Sequence, residues 1–140
     1  MDVQMPILGQ LRVSNLILFT LIDSGATHSF MAKRLGDKLE GKRRKFTSPF
    51  ITITPAEDVY KSMSLFKNIP IKIGEFILYA NLIEIEMYNF DVVLGMDWLT
   101  THFSMIDCRR KYVRFSPSNA QSLEFQGTPQ DRTISTISVL

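Results

Sequence analysis

Residues 16–30 read LILFTLIDSGATHSF, and a largely apolar run of seven residues in this stretch ends abruptly at Asp23. A carboxylate that directly follows a buried strand lies in a low-dielectric setting, where its charge is costly and its proton can be used for chemistry. Asp-Ser-Gly is also a common turn at the end of a strand, so the triplet taken alone favours a structural role. Asp23 is therefore the first candidate for a catalytic residue, with a tight turn as the alternative.

A second apolar run ends in glycine in the same way. Residues 91–99 read DVVLGMDWL, so that Leu94 and Gly95 close a predicted strand. Two buried strands that are each broken by a glycine loop predict that the loops interlock. Asp97 lies at a predicted helix start, where free N–H groups and the helix dipole favour a carboxylate. We therefore assign Leu94, Gly95 and Asp97 a structural role in the second loop.

These motifs carry a family resemblance. LIDSGATHSF at 21–30, DVVLGMDWL at 91–99, IDCR at 106–109 and LEFQG at 123–127 occur in an order and spacing that resemble the retropepsin-type aspartic protease of gypsy-class LTR retrotransposon polyproteins, especially plant ones. The resemblance covers roughly residues 8–127. It implies a mostly β fold, a closed barrel-like monomer with one or two short helices that functions as a two-fold homodimer. It also implies a protease domain over residues 1–127, followed at 128–140 by a linker or disordered tail, since that stretch is polar and rich in Ser and Thr.

The expected mechanism follows from the number of motifs. Aspartic proteolysis needs two carboxylates that share one proton, one acting as a base on water and the other polarising the scissile carbonyl. The chain has one Asp-Ser-Gly, so a homodimer must supply the second Asp23 across a two-fold axis. Two carboxylates ~3 Å apart repel each other by roughly 5 kcal/mol at an effective dielectric constant of ~20. We therefore expect two separate titration steps and a bell-shaped activity profile at acidic to near-neutral pH.

The residues after Asp23 take their roles from the resemblance. Ser24 corresponds to the hydroxyl residue that hydrogen-bonds across the dimer axis and keeps the two aspartates coplanar. Gly25 lets its backbone N–H approach a carboxylate, which a Cβ would obstruct. Ala26 is small where substrate or the partner loop must pass, and Thr27 completes this supporting loop.

A retropepsin also needs a flap, a β-hairpin that closes over the substrate and excludes water. Its position falls within residues 51–66. The predicted tip is formed by Pro55, Ala56, Glu57, Asp58 and Val59. Family tips are usually rich in glycine, so two acids and a proline set this tip apart.

Short β-branched or aromatic segments separated by turn residues predict strands over most of the chain. The predicted strands are 7–13, 16–22, 46–54, 60–66, 69–73, 76–86, 92–94, 104–106, 112–115 and 123–125. Two short helices are expected, over 29–35 with Gly36 as its C-terminal cap and over 96–102. His28 is expected at the start of the first helix, and the basic run 42–45 in a solvated loop after it. Residues 109–111 are expected in a charged turn.

Composition limits the possible function classes. The 140 residues are 45% apolar and 21% charged with a net charge of +2, which fits one soluble domain and no general polyanion partner. We expect no nucleic-acid requirement, although the basic run at 42–45 could in principle contact nucleic acid. The longest apolar run is far short of the ~20 residues that span a bilayer, so no membrane partner is expected. Cys108 and His102 alone do not make a metal site, and no cofactor is implied.

Two functions remain. The first is an aspartic endopeptidase that matures a retrotransposon polyprotein by cutting extended polypeptide substrates in the cytoplasm, including within virus-like particles. The single cysteine fits such a reducing intracellular setting. The second is a retropepsin-like domain that serves dimerisation or peptide binding with weak or absent catalysis. A serine hydrolase built on Ser24 and His28 is disfavoured, because the chain lacks a G-x-S-x-G motif.

Overall fold

A computed structural model describes residues 6–39, 42–53, 59–107, 109–118 and 121–127. The chain forms ten strands, one short α-helix and one 3₁₀ helix. The strands are β1 (Ile7–Val13), β2 (Leu16–Ile22), β3 (Phe30–Ala32), β4 (Lys42–Ile53), β5 (Val59–Ile73), β6 (Phe76–Ile85), β7 (Val92–Leu94), β8 (Ser104–Asp107), β9 (Tyr112–Ser118) and β10 (Gln121–Gln126). The 3₁₀ helix is Lys33–Lys38 and α1 is Met96–Thr101.

Six of the strands close into a barrel. They follow one another in the order β1, β2, β7, β3, β6, β5, and β5 pairs back onto β1 through Val13 and Ile71. Most neighbours are antiparallel, but β2 runs parallel to β7 and β3 runs parallel to β6. β4 pairs with β5 outside the ring and forms a long hairpin with it. The predicted mostly β, closed barrel-like fold is confirmed.

The barrel interior is filled by apolar side chains from every strand of the ring. A second sheet, in the order β10, β9, β8, packs against the barrel through α1 and through Val113 and Phe115 of β9. Trp98 of α1 joins the two parts, because its ring is buried and lies edge-on to Phe115 at 5.1 Å. α1 is thereby fixed between the barrel and the second sheet.

Most predicted strands are observed within a few residues of their expected bounds. The segments 60–66 and 69–73 form one strand, β5, with an irregularity in its pairing between Phe66 and Ile69. The predicted loop at 42–45 is wrong, since β4 begins at Lys42. The predicted turn at 109–111 joins β8 to β9, with Lys111 at a positive φ of 59°. The predicted helix at 96–102 is confirmed as α1.

The predicted helix at 29–35 is wrong. Residues 30–32 form β3, which lies between β7 and β6 with all three side chains buried, and the 3₁₀ helix follows. A helix would expose one face of this segment to water, whereas a central strand buries both of its faces. Gly36 lies inside the 3₁₀ helix and does not cap it. A side chain there would meet the paired side chains of Arg43 and Glu84, so glycine makes room for that ion pair.

The predicted linker at 128–140 lies outside the described residues. No helix in the described part of the chain is long and apolar enough to cross a membrane.

Candidate active site

Asp23 directly follows β2 at the end of a parallel strand pair. Ile22 lies opposite Leu94 of β7, and the backbone N–H of Asp23 donates to the Leu94 carbonyl at 2.9 Å. Its own carbonyl accepts the N–H of Ala26 at 3.1 Å, which closes the turn. The end of β7 therefore fixes where the Asp23 carboxyl lies.

The Asp23 carboxyl is nearly excluded from solvent. The residue is 6% exposed, and the N–H of Gly25 donates to its Oδ1 at 2.8 Å. Burial raises the pKa of Asp23 above its ordinary value, and the hydrogen bond from Gly25 lowers it by a smaller amount. A Cβ on Gly25 would lie 3.1 Å from Oδ1, so glycine allows this close approach. The environment thus favours a carboxyl that holds a proton more readily than an exposed aspartate does.

Two glycine loops interlock, as the sequence predicts. The first, or Asp23 loop, is residues 23–29 between β2 and β3, and the second, or Gly95 loop, lies at Gly95 between β7 and α1. The N–H of Met96 donates to the Ala26 carbonyl at 2.7 Å, and that of Asp97 donates to the Thr27 carbonyl at 3.2 Å. Gly95 sits against the first loop so closely that a Cβ would meet backbone atoms of Ala26 and His28, including the Ala26 carbonyl oxygen at 2.7 Å. Backbone atoms cannot move aside cheaply, so this contact requires a residue without a side chain.

Ser29 joins the two loops from within, and sequence reasoning did not find it. Its side chain is fully buried, its Oγ accepts the N–H of Gly95 at 3.0 Å, and its hydroxyl donates to Asp97 Oδ1 at 2.6 Å. The same Asp97 oxygen accepts the N–H of Trp98 at 2.8 Å. Asp97 thus ties the start of α1 to the first loop. The sequence carried no local signal for this role, because the two partners of Ser29 are 66 and 68 residues away.

A second carboxylate, Asp91, holds the start of β7. It accepts the N–H of Phe19 at 2.8 Å and pairs with Arg34 of the 3₁₀ helix at 2.8 Å. Sequence reasoning had assigned it no role beyond the start of the apolar run. The hydrogen bond from Phe19 holds the start of β7 against β2, and so helps to place the Leu94 carbonyl that accepts the Asp23 N–H.

Comparisons with known proteins bear on this geometry. A family model described as retroviral aspartyl protease matches residues 3–121. The chain belongs to the retroviral aspartyl protease family. The retropepsin interpretation of the sequence is confirmed at this level. No curated protein matches the sequence.

Two solved structures share the fold of this chain. The retroviral protease-like domain of Ddi1 from Leishmania major has 17% identity and a TM-score of 0.64, with 94% of this chain and 99% of that chain covered. The EIAV protease complexed with the inhibitor HBY-793 has 15% identity and a TM-score of 0.57, with 76% of this chain and 97% of that chain covered. At these identities the likeness concerns the fold.

The remaining predicted site residues lie in the loop that follows Asp23 and in the predicted flap. Ser24 is half-buried and Ala26 is fully buried in the first loop. A hairpin formed by β4 and residues 59–64 of β5, which we call the flap hairpin, covers part of the predicted flap region 51–66. Of the predicted tip, Val59 begins β5 and is exposed, whereas Pro55, Ala56, Glu57 and Asp58 lie outside the described residues.

The first loop contacts the flap hairpin through aromatic rings. His28 lies edge-on to Phe50 of β4 at 5.1 Å, and its Nδ1 is 2.9 Å from the Thr27 hydroxyl. The prediction that His28 begins a helix is wrong, because His28 belongs to the loop before β3. Among the described residues, no group of three or more His, Cys, Asp or Glu side chains could hold a metal ion.

Proposed function

We propose that the protein is an aspartic-type endopeptidase in which two copies of Asp23 activate a water molecule across a dimer axis. The observation that carries this proposal is the placement of one buried carboxyl, with its pKa raised, where two interlocked glycine loops meet. In the shared-proton state, the ionised carboxylate accepts a proton from water while the protonated carboxyl donates to the substrate carbonyl. A group with a raised pKa suits the protonated role.

A second copy is needed because the sequence has one Asp-Ser-Gly motif. Exposed apolar side chains on and after α1 support such a partner. Met96 directly follows Gly95 and is 40% exposed, and beyond α1 Phe103 and Met105 are 70% and 69% exposed. β8, which carries Met105, pairs with β9 on one edge. Burying these side chains in a homodimer would remove apolar surface from water.

We propose an extended polypeptide as the substrate, held between the flap hairpin and the two glycine loops. Backbone hydrogen bonds would supply affinity and side-chain pockets selectivity. The sequence motifs favour maturation of a gypsy-class retrotransposon polyprotein, in the cytoplasm or within virus-like particles. Water is the nucleophile, activated by the two carboxyls without a cofactor, and neither nucleic acid nor a membrane takes part.

The test is cleavage of an extended apolar peptide library from pH 3 to 8, at several protein concentrations, with and without pepstatin. We expect pepstatin-sensitive cleavage in a bell-shaped pH window that falls steeply when the protein is diluted below its dimer affinity. Asp23→Asn should abolish cleavage while the protein stays folded. Cleavage that persists in this variant would rule out Asp23 as the catalytic group.

Subunit mixing tests the shared site directly. If each site needs Asp23 from both copies, an equimolar mixture of wild type and Asp23→Asn should show half the activity per wild-type chain after random exchange. A site complete within one chain would show no such loss. The mixture must be kept well above the dimer dissociation constant, so that subunit dilution does not imitate the effect.

The second candidate is a dimerisation or peptide-binding domain without proteolytic activity. The observation that favours it is the tip sequence of the flap, where Pro55, Glu57 and Asp58 stand in a region that is usually rich in glycine. Stable dimers that bind extended peptides but never cleave them, at any pH tested, would support this function.

A further inference from the structure

A cleft with a volume of 620 Å³ lies between the flap hairpin and the segment that leaves β6. Its lining consists of Lys33 and residues 59–64 and 84–90. None of these residues belongs to the Asp23 loop or to the Gly95 loop. The cleft therefore lies apart from Asp23, although it shares the second strand of the flap hairpin with the proposed substrate site.

The lining shows that strand edges border this cleft. Successive side chains of a strand point to opposite faces, so a cleft on one face would meet every second residue. Here six successive residues of β5 take part, together with Glu84 and Ile85 at the end of β6 and residues 86–90, which follow that strand. Only an edge of the backbone presents every residue of a strand to the same space.

Strand pairing explains why these edges are open. β5 pairs with one edge of β6 from Leu65 and Ile83 onward. Glu84 and Ile85 pair with β3 on the opposite edge of β6 and, within the described part of the chain, do not pair with β5. On its other side, β5 pairs with β4 as far as Val59. The two strands thus separate beyond Leu65 and Ile83, and each turns one edge toward the cleft.

An open edge carries backbone N–H and C=O groups that a further strand could pair with. At one end of the β5 edge, the Ser62 hydroxyl accepts the N–H of Ser64 at 3.2 Å and donates to the Ser64 carbonyl at 3.0 Å, so that these two groups already have a partner. The six residues 59–64 span about 20 Å at ~3.3 Å per residue. An extended segment of about six residues fits this length.

The side chains of the cleft indicate the composition of that segment. Met63 and Tyr88 are exposed and offer apolar contact. Glu84 is neutralised by Arg43 at 2.9 Å, whereas Lys33 and Lys61 make no ion pair within the described part of the chain. These two lysines outweigh the one remaining acid, Glu86. The cleft therefore favours an extended segment that carries acidic residues.

We propose that residues 59–64 and 84–90 form a second polypeptide-binding cleft, which takes one extended, acidic segment as an added strand between β5 and the end of β6. Because β5 is also the second strand of the flap hairpin, a bound segment would restrict the movement of the hairpin. This binding does not require Asp23 to be catalytic.

The test uses the full chain with Asp23→Asn, so that no probe is cleaved. The probe is a seven-residue peptide that alternates valine and threonine between two terminal aspartates, and its controls are two versions N-methylated at alternate residues. N-methylation removes the donors along one edge of the peptide. We expect binding of the parent peptide, loss of binding with both methylated versions, and slowed amide hydrogen exchange at 59–64 and 84–90 but not at 23–29.

Charge reversal adds a readout that unfolding cannot imitate, because binding of one peptide should weaken while binding of another strengthens. Lys33→Glu combined with Lys61→Glu should weaken the aspartate-ended peptide about tenfold and strengthen a lysine-ended one, while the control Lys72→Glu changes neither. Lys72 is exposed on β5 outside the cleft. Protection confined to the Asp23 loop, equal binding of the methylated peptides, an unchanged charge preference, or no binding at millimolar peptide would each overturn the proposal.

Discussion

The Ser29 hydroxyl is the contact whose loss tests the architecture of the site most sharply. Ser29→Ala removes the buried acceptor of the Gly95 N–H, at 3.0 Å, and the donor to Asp97 Oδ1, at 2.6 Å. The substitution deletes one oxygen and adds no bulk. Any effect therefore comes from the two hydrogen bonds that join the glycine loops.

The expected cost follows from burial. A buried N–H left without a partner costs about 1–3 kcal/mol, and a hydrogen bond to a charged group contributes about 1.5–3 kcal/mol. Asp97 is exposed and keeps the Trp98 N–H, so water recovers part of the second contribution. We expect a loss of about 3 kcal/mol in the free energy of unfolding, which lowers the Tm by about 10 °C for a domain of this size.

Urea unfolding of wild type and variant at equal protein concentration measures this loss. The matched control is Ser104→Ala, which removes one hydrogen bond from a half-buried hydroxyl to the Leu99 carbonyl, at 2.9 Å, and should cost about 1 kcal/mol. In a double-mutant cycle with Asp97→Asn, Ser29→Ala should show a coupling of at least ~1 kcal/mol. If Ser29→Ala is no more destabilising than Ser104→Ala, or if the cycle is additive, Ser29 does not hold the loops together.

Three further predictions concern charge and close packing. Since burial raises the folded-state pKa of Asp23, its contribution to stability is present below the pKa of the unfolded chain and is lost as pH rises through the folded pKa. The change in unfolding free energy caused by Asp23→Asn should therefore be more favourable at pH 7 than at pH 3, by about 1.4 kcal/mol for each unit by which the pKa is raised. The same change at both pH values in urea unfolding would contradict the reasoning. Gly95→Ala should cost about 3 kcal/mol or more, because the new methyl group meets loop backbone, and a cooperative circular dichroism melt near the wild-type Tm would argue against this contact. Glu84→Gln should speed amide exchange in β4, because it removes the ion pair that holds Arg43. The expected cost is only about 1 kcal/mol, because Arg43 is partly exposed and solvent screens the pair.

The control for the last prediction is Glu124→Gln. Glu124 pairs with Arg114 at 3.2 Å, and both side chains are about half exposed. This pair should contribute less than about 0.5 kcal/mol. Equal effects of the two substitutions would mean that burial of Glu84 adds nothing to its pairing with Arg43.

The candidate site was predictable in part because its chemistry is written in contiguous residues. Asp23 and Gly25 follow β2 in the chain, and the apolar run before them predicts the strand that ends there. The partners of Ser29 are 66 and 68 residues away, so no local pattern reveals the contact. Asp91 and Arg34 are likewise 57 residues apart.

The errors in secondary structure have the same origin. Residues 29–35 have helical spacing, yet β6 and β7 leave a strand-sized position between them, and pairing with both outweighs the local preference. The basic run at 42–45 resembles a solvated loop because its partners are distant. Arg43 stacks over Phe66 at 4.9 Å and pairs with Glu84, and these contacts hold the basic run against β5 and β6.

The sequence by itself determined the mostly β fold, the family and the identity of the buried carboxyl, because alternation, turn residues and short motifs are local properties. The tertiary structure alone decided which loops cross, which hydroxyl joins them and where strand edges stay open. These features depend on contacts between residues far apart in the chain, and burial gives such contacts their energy. The same dependence places Gly36 beside an ion pair and Asp23 against the end of β7.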